Sequence, residues 1–239
     1  MAPPTKQAAL DLLGALAQEL RNAPRDVSVI LCPPFVWLPY VADFRGGAHN
    51  FSVGAQDVSA KAQGAYTGEV SPAMLSSLGA SHVIIGHSER RAMGEANDLI
   101  AQKLRAALDA GLTAILCVGE RTREGDWHTF LQEQITSALA VLAPEDVPKL
   151  LVAYEPVWAI GGSVPDTPED ALTVAILVRK LARERFGERG RALPVLYGGS
   201  VEAKTVEPFA RQEGLDGVLV GHASLSVGQF MAIVQAIAG

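Results

Sequence analysis

The 239-residue sequence is poor in cysteine, in aromatic residues and in positive charge. Its two cysteines, Cys32 and Cys117, each close a short apolar run and have no Cys or His partner at ligand spacing. That pattern excludes a disulfide scaffold and any motif-type metal site, and both thiols are expected to be buried and reduced. Aromatic residues reach only 6%, and 20 Lys and Arg stand against 26 Asp and Glu for a net charge of −6. No basic face therefore advertises nucleic acid or an anionic membrane as a partner. No run approaches the ~18 apolar residues of a membrane span, and Met1 to Lys6 has no apolar signal core behind a basic cluster. A cytoplasmic location is expected. Linkers, low-complexity tracts and internal repeats are missing too, so residues 1–239 read as a single domain.

What is present is a high apolar content, 49%, enough for a sizeable core. Short runs rich in Val and Ile alternate with longer segments of helical period. The candidate strands are Val27–Cys32, Phe51–Ala55, His82–Gly86, Ala114–Val118, Leu150–Glu155, Pro194–Tyr197 and Gly217–Val220. Between them run amphipathic segments marked by Leu10, Leu13, Leu16 and Leu20, by Leu99, Ile100, Leu104 and Leu108, and by Phe130, Leu131, Ile135 and Leu139. Further helices are expected over 168–186, 201–211 and 227–238, the first opening with Thr167 as N-cap before Pro168, Glu169 and Asp170.

Strands buried on both faces and alternating with helices point to a parallel α/β sheet, with a β/α barrel as the closest match. In such a barrel the site lies where the strands' C-terminal ends run into loops. The polar and glycine-rich residues fall at those ends: Gln56-Asp57, His87 to Arg90, Gly119-Glu120, Glu155, Gly198 to Ser200, and Gly221-His222. A closed barrel needs eight strands and only seven are recognisable. Stepping back one strand spacing from Val27 lands in the first turn of the helix that begins near Thr5, so the missing strand is expected before Met1.

Glu155 closes an apolar run and is followed by Pro156-Val157-Trp158, a setting that suits a general base. The next residues, 159–164, form a small apolar tip with a glycine pair between two prolines, a candidate lid. His87 ends another strand where Ser88-Glu89-Arg90 begins a helical turn. The helix N-terminus is expected to lower the imidazole pKa and keep the ring neutral, able to donate a hydrogen bond to a carbonyl oxygen. The turns Gly198-Gly199-Ser200 and Gly221-His222 follow the last two strands, where backbone N–H groups commonly make a barrel's phosphate site.

Several strings resemble one family. Ala153-Tyr154-Glu155-Pro156-Val157-Trp158-Ala159-Ile160-Gly161 is similar to the base-and-lid signature of triosephosphate isomerases, and Ile84-Ile85-Gly86-His87-Ser88-Glu89-Arg90-Arg91 resembles their electrophile segment. Gly64 to Glu69, Leu116 to Glu120 and Tyr197 to Ser200 follow in family order. The resemblance implies a TIM (β/α)8 barrel with eight helices, and interconversion of dihydroxyacetone phosphate and glyceraldehyde 3-phosphate through an enediolate. It assigns Glu155 as base and His87 as electrophile. The phosphate would rest on amides of Gly161, Ser200, Gly221 and His222, with no cofactor and no metal. The Gln56–Glu69 loop resembles the one that enters a second subunit, which implies a homodimer.

The departures are equally informative. Gly162 to Pro165 differs from the usual lid, His222 stands where glycine is common, Asp57 replaces a frequent Asn, and the 90–94 stretch is one residue short. The family's first strand ends in Asn, an aromatic residue and Lys, whereas Met1 to Thr5 resembles the continuation beyond it. Glu89 resembles the partner of that Lys and is expected to be a partly buried carboxylate without a cation. Losing such a charge is expected to cost at least ~10²–10³ in rate. Two strand edges, Val27–Cys32 and Gly217–Val220, are expected to be open. The alternative expectation is a catalytically silent phosphate-binding or interaction barrel.

Overall fold

A computed structural model of the chain describes residues 2–43, 51–160 and 166–239. Helix α1 (Lys6–Leu20) starts where Thr5 Oγ1 accepts the Ala8 N–H and buries Leu13, Leu16 and Leu20. Then follow β1 (Val29–Leu31), α2 (Leu38–Asp43), β2 (Phe51–Ala55), α3 (Pro72–Ser77), β3 (His82–Ile85), α4 (Ser88–Ala92) and α5 (Asn97–Asp109). The second half runs β4 (Thr113–Val118), α6 (Trp127–Ala140), β5 (Leu150–Tyr154), α7 (Pro168–Phe186), α8 (Glu188–Arg191), β6 (Val195–Tyr197), α9 (Glu207–Ala210), β7 (Gly217–Val218) and α10 (Val227–Ala238).

The seven strands form one all-parallel sheet in sequence order, β1 to β7. Alternation along each strand separates two cores. Ile84, Ile115, Cys117 and Ala153 point to one face, where Ile30 of β1, Cys32 just after it and Leu219 after β7 pack against them. Residues from both ends of the sheet can share that cluster only if the sheet curls. Val83, Ile85, Leu116, Val118, Val152 and Tyr154 point to the other face and join the helices in the main core. Along β4, Ala114 to Val118 are at most 2% exposed, whereas Ile30, Leu31 and Val218 at the two ends are only half-buried.

Among the described residues, β1 and β7 each pair on one side only, as the strand count anticipates. Beside these ends α1 packs on α10, with Leu16, Leu20, Phe230 and Val234 around Val29 and with Val220 against them.

Among the described residues, eight of the ten α-helices, α1, α2, α3, α5, α6, α7, α9 and α10, supply the eight expected helices. The extra two, α4 and α8, are short segments within the β3–β4 and β5–β6 connections. The helix expected over 201–211 is reduced to α9, because Pro208 supplies no N–H and its ring would meet the carbonyl one turn back.

Candidate active site

Glu155 leaves the end of β5 with its N–H on the Val118 carbonyl of β4, at 2.8 Å, and its side chain only 2% exposed. One carboxylate oxygen, Oε1, lies 2.9 Å from His87 Nε2, and the other accepts the Ser88 backbone N–H at 2.8 Å. The groups that the sequence assigns as base and electrophile therefore meet across the intervening β4. Gly119 is required beneath them, because a Cβ there would strike the Glu155 carbonyl.

His87 is the N-cap of α4, and its Nδ1 accepts the Glu89 N–H at 3.2 Å. An Nδ1 that accepts leaves Nε2–H as the donor to Glu155. Burial lowers the imidazole pKa, but the hydrogen bond and charge of Glu155 outweigh it, and the net shift is upward. This differs from the lowering expected from the helix end alone. The neighbouring carboxylate supplies a full charge at hydrogen-bond distance, against the partial charge of a five-residue helix.

Glu89 also departs from expectation. Its side chain is 81% exposed rather than partly buried, and among the described residues its carboxylate makes no hydrogen bond and lies 3.8 Å from His87 Nδ1. It projects from the first turn of α4 into water, which solvates the charge. The sequence-assigned phosphate groups Ser200, Gly221 and His222 follow β6 and β7 and are all exposed. Gly221 leads into a 3₁₀ turn over His222–Leu225. Gly161 and most of the 159–164 lid lie outside the described residues; Ala159 is buried and Ile160 is exposed.

Sequence reasoning missed the support behind the Glu155 turn. Glu120, 1% exposed, accepts the Tyr154 hydroxyl and the Trp158 indole at 2.8 Å each and pairs with Arg123 at 2.8 Å. The Arg123 guanidinium also covers the Trp127 ring at 4.0 Å. Asp166 lies nearby, 6% exposed, and no side chain among the described residues hydrogen-bonds either carboxylate oxygen. Burial, then the charge of Asp170, pushes its pKa up to about 6 against the pull of the Thr167 N–H and Arg123. Glu120 sits directly after Gly119 in one of the quoted strings, which was the available signal.

Cys117, buried under Glu155, has its thiol pKa raised first by burial and then by that carboxylate. Cys32 is pushed up to about 12 by burial, and both thiols are free. No helix among the described residues is long and apolar enough to cross a membrane.

A family profile described as Triosephosphate isomerase matches residues 3–237. Among curated proteins, "Triosephosphate isomerase" of Roseiflexus sp. (strain RS-1) is 44% identical over 228 residues, covering 92% of this chain and 89% of the relative. The protein of the same name from Idiomarina loihiensis is 40% identical over 231 residues, 95% of this chain and 91% of the relative. That from Carboxydothermus hydrogenoformans is 43% identical over 226 residues, 91% and 90% of the two chains.

Proposed function

The chain belongs to the triosephosphate isomerase family, a family of isomerases with the TIM-barrel fold, and we propose that Glu155 and His87 carry its interconversion of dihydroxyacetone phosphate and glyceraldehyde 3-phosphate. The supporting observation is the 2.9 Å contact between Glu155 Oε1 and His87 Nε2 at the C-terminal ends of β5 and β3. Substrate binding would exchange the Glu155 contacts with His87 and Ser88 for the substrate. The carboxylate then removes a proton from the carbon beside the carbonyl and returns it to the neighbouring carbon. His87 donates from Nε2 to the oxygen on which the enediolate charge develops and moves protons between the two oxygens. This chemistry is proton transfer throughout and calls on no cofactor.

The substrate phosphate is assigned to backbone N–H groups of Gly161, Ser200, Gly221 and His222, with the start of the 3₁₀ turn supplying partial positive charge. Such donors let a chain of net charge −6 hold an anion. A homodimer through the Gln56–Glu69 loop is supported by the uninterrupted exposure of residues 61–69, including Tyr66 at 46%. A cytoplasmic location belongs to the same reading.

A second reading is a barrel that binds phosphate esters without turnover, and it is favoured by the finding that among the described residues no Lys or Arg side chain hydrogen-bonds or ion-pairs with Glu155 or His87. Deuterium uptake at the substrate carbon in heavy water, read by NMR, separates them. Exchange that falls by about 10²–10⁴ in Glu155→Gln supports the isomerase assignment. Substrate binding with no exchange above the protein-free rate sustains the silent barrel, and exchange that is unchanged in Glu155→Gln overturns the assignment of Glu155 as the base.

A further inference from the structure

The backbone ladder between β3 and β4 ends at the pair Ile85 and Leu116. Beyond it Gly86 turns out of the strand at φ +72°, a left-handed conformation that favours glycine. The next carbonyls on each side, those of Gly86 and Cys117, therefore lack a rung between the strands. One side chain supplies it. Arg91 Nε donates to the Gly86 carbonyl at 2.8 Å, and its Nη2 donates to the Cys117 carbonyl at 2.9 Å. Its remaining arm, Nη1, reaches Asn97 Oδ1 at 2.8 Å, on the first residue of α5.

The two carbonyls tied by Arg91 adjoin the proposed reacting pair. Gly86 precedes His87, whose own carbonyl accepts the Arg91 N–H at 3.0 Å. Cys117 precedes Val118, which holds the Glu155 N–H, and Cys117 is in register with Ala153 on β5. Any slip at this junction moves the imidazole relative to the carboxylate. We infer that Arg91 is a positioning residue for the reaction, its guanidinium fork fixing the separation of His87 from Glu155. The inference rests on the proposed isomerase reading for its kinetic consequence, but its structural half does not.

The fork sets the chemistry of the test. Lysine keeps a positive charge but cannot reach three acceptors in a plane, and methionine keeps length without charge or donors. Arg91→Met and Arg91→Lys are compared with the parent chain for the His87 titration midpoint by ¹⁵N NMR without substrate, and for kcat and KM. The midpoint depends on the Glu155 contact, which raises it. If Arg91 positions the pair, the midpoint falls toward the usual imidazole value in Arg91→Met. Where turnover is measurable, kcat falls about 10- to 100-fold, with KM within about threefold, as expected for a misplacement of an ångström or less. Arg91→Lys, which retains one donor group and the charge, falls between. A folded Arg91→Met whose His87 midpoint matches the parent overturns the inference. If Arg91→Met fails to fold, an unmoved midpoint and unmoved kcat in Arg91→Lys overturn it equally. A parent that titrates as described but shows no turnover would instead count against the isomerase reading.

Discussion

Gln134 of α6 pairs with both backbone groups of Gly119: its Oε1 accepts the Gly119 N–H at 3.0 Å and its Nε2 donates to the Gly119 carbonyl at 3.1 Å. Gln134 is 3% exposed, so neither Gly119 group has water as an alternative. The amide thus does for the end of β4 what a neighbouring strand would do, directly under the Glu155 backbone. Gln134→Leu leaves a buried donor and a buried acceptor unpaired. At roughly 1–3 kcal/mol for each, thermal or urea unfolding should show a loss of about 2–5 kcal/mol. Gly119→Ala is expected to be worse, because its Cβ meets the Glu155 carbonyl with no side chain able to yield. A Gln134→Leu variant as stable as its parent would mean that Gly119 finds other partners.

The Gln56–Glu69 loop is anchored at its base by a buried ionic group. Lys103 Nζ contacts Asp57 Oδ1 at 2.7 Å and Glu95 Oε1 at 2.5 Å, and Arg90 Nη2 reaches Asp57 Oδ2 at 2.9 Å. Two cations face two carboxylates, so removing one leaves an uncompensated charge. Lys103→Met is expected to cost about 3–5 kcal/mol by chemical denaturation. Burial alone would raise the Glu95 pKa, yet the bonds from Lys103 and Arg90 hold it below the ordinary 4.5. For a depressed acid, the stabilisation is present above that ordinary value and lost as pH falls below it. The deficit of Lys103→Met should therefore shrink in titrations carried well below pH 4.5.

How much of this was readable beforehand follows from the physics of each signal. The strands and their order were legible because short, continuous apolar runs such as Val83-Ile84-Ile85 and Ala114-Ile115-Leu116 must be buried on both faces. Glu155 and His87 were picked out because each ends such a run inside one of the family-like strings, and the structure places their side chains in contact. The supports were not. Arg91, Gln134 and Glu120 act through side-chain reach across three elements, and nothing in linear spacing says that Arg91 will span the Gly86 and Cys117 carbonyls. Arg90, the cation nearest the site in sequence, is instead committed to Asp57 and Glu95. The exposure of Glu89 escaped because it depends on which way a five-residue helix faces.

The two sheet ends should differ measurably from its centre. A strand with one neighbour leaves alternate backbone groups without a ladder partner. Val29–Leu31 and Gly217–Val218 are in that position among the described residues, whereas Thr113–Val118 is paired on both sides. Amide hydrogen exchange should find β4 protected to the level of global unfolding, with Ile30 and Val218 opening locally and far sooner. Equal protection across all seven strands would mean that the edges are covered.

Asp166 makes the fold less stable as pH rises through its titration range. Its carboxyl is 6% exposed and has no side-chain partner among the described residues, and it is faced by Glu120 and Arg123 beyond β4, by Asp170 on α7, and by the hydroxyls of Tyr154 and Tyr197. Burial, first among the causes, lifts its pKa from 3.8 to about 6. A raised acid favours the protonated form in the fold. Its stabilising contribution is complete below pH 3.8, declines as pH rises from 3.8 to about 6, and is gone above that. Asp166→Asn keeps the shape and stays neutral at every pH. At pH 7.5 the variant should be more stable than its parent by about 1–3 kcal/mol, taking ~1.4 kcal/mol for each tenfold change in proton affinity and discounting for partial solvation. The advantage should narrow steadily between pH 6 and pH 4, because Asp166 is then protonated in the parent. Titration of His87 and Glu95 is common to both proteins and cancels in the comparison. A stability difference that stays constant from pH 4 to pH 7.5 would show that Asp166 is ionised in the fold throughout and that its charge has a partner.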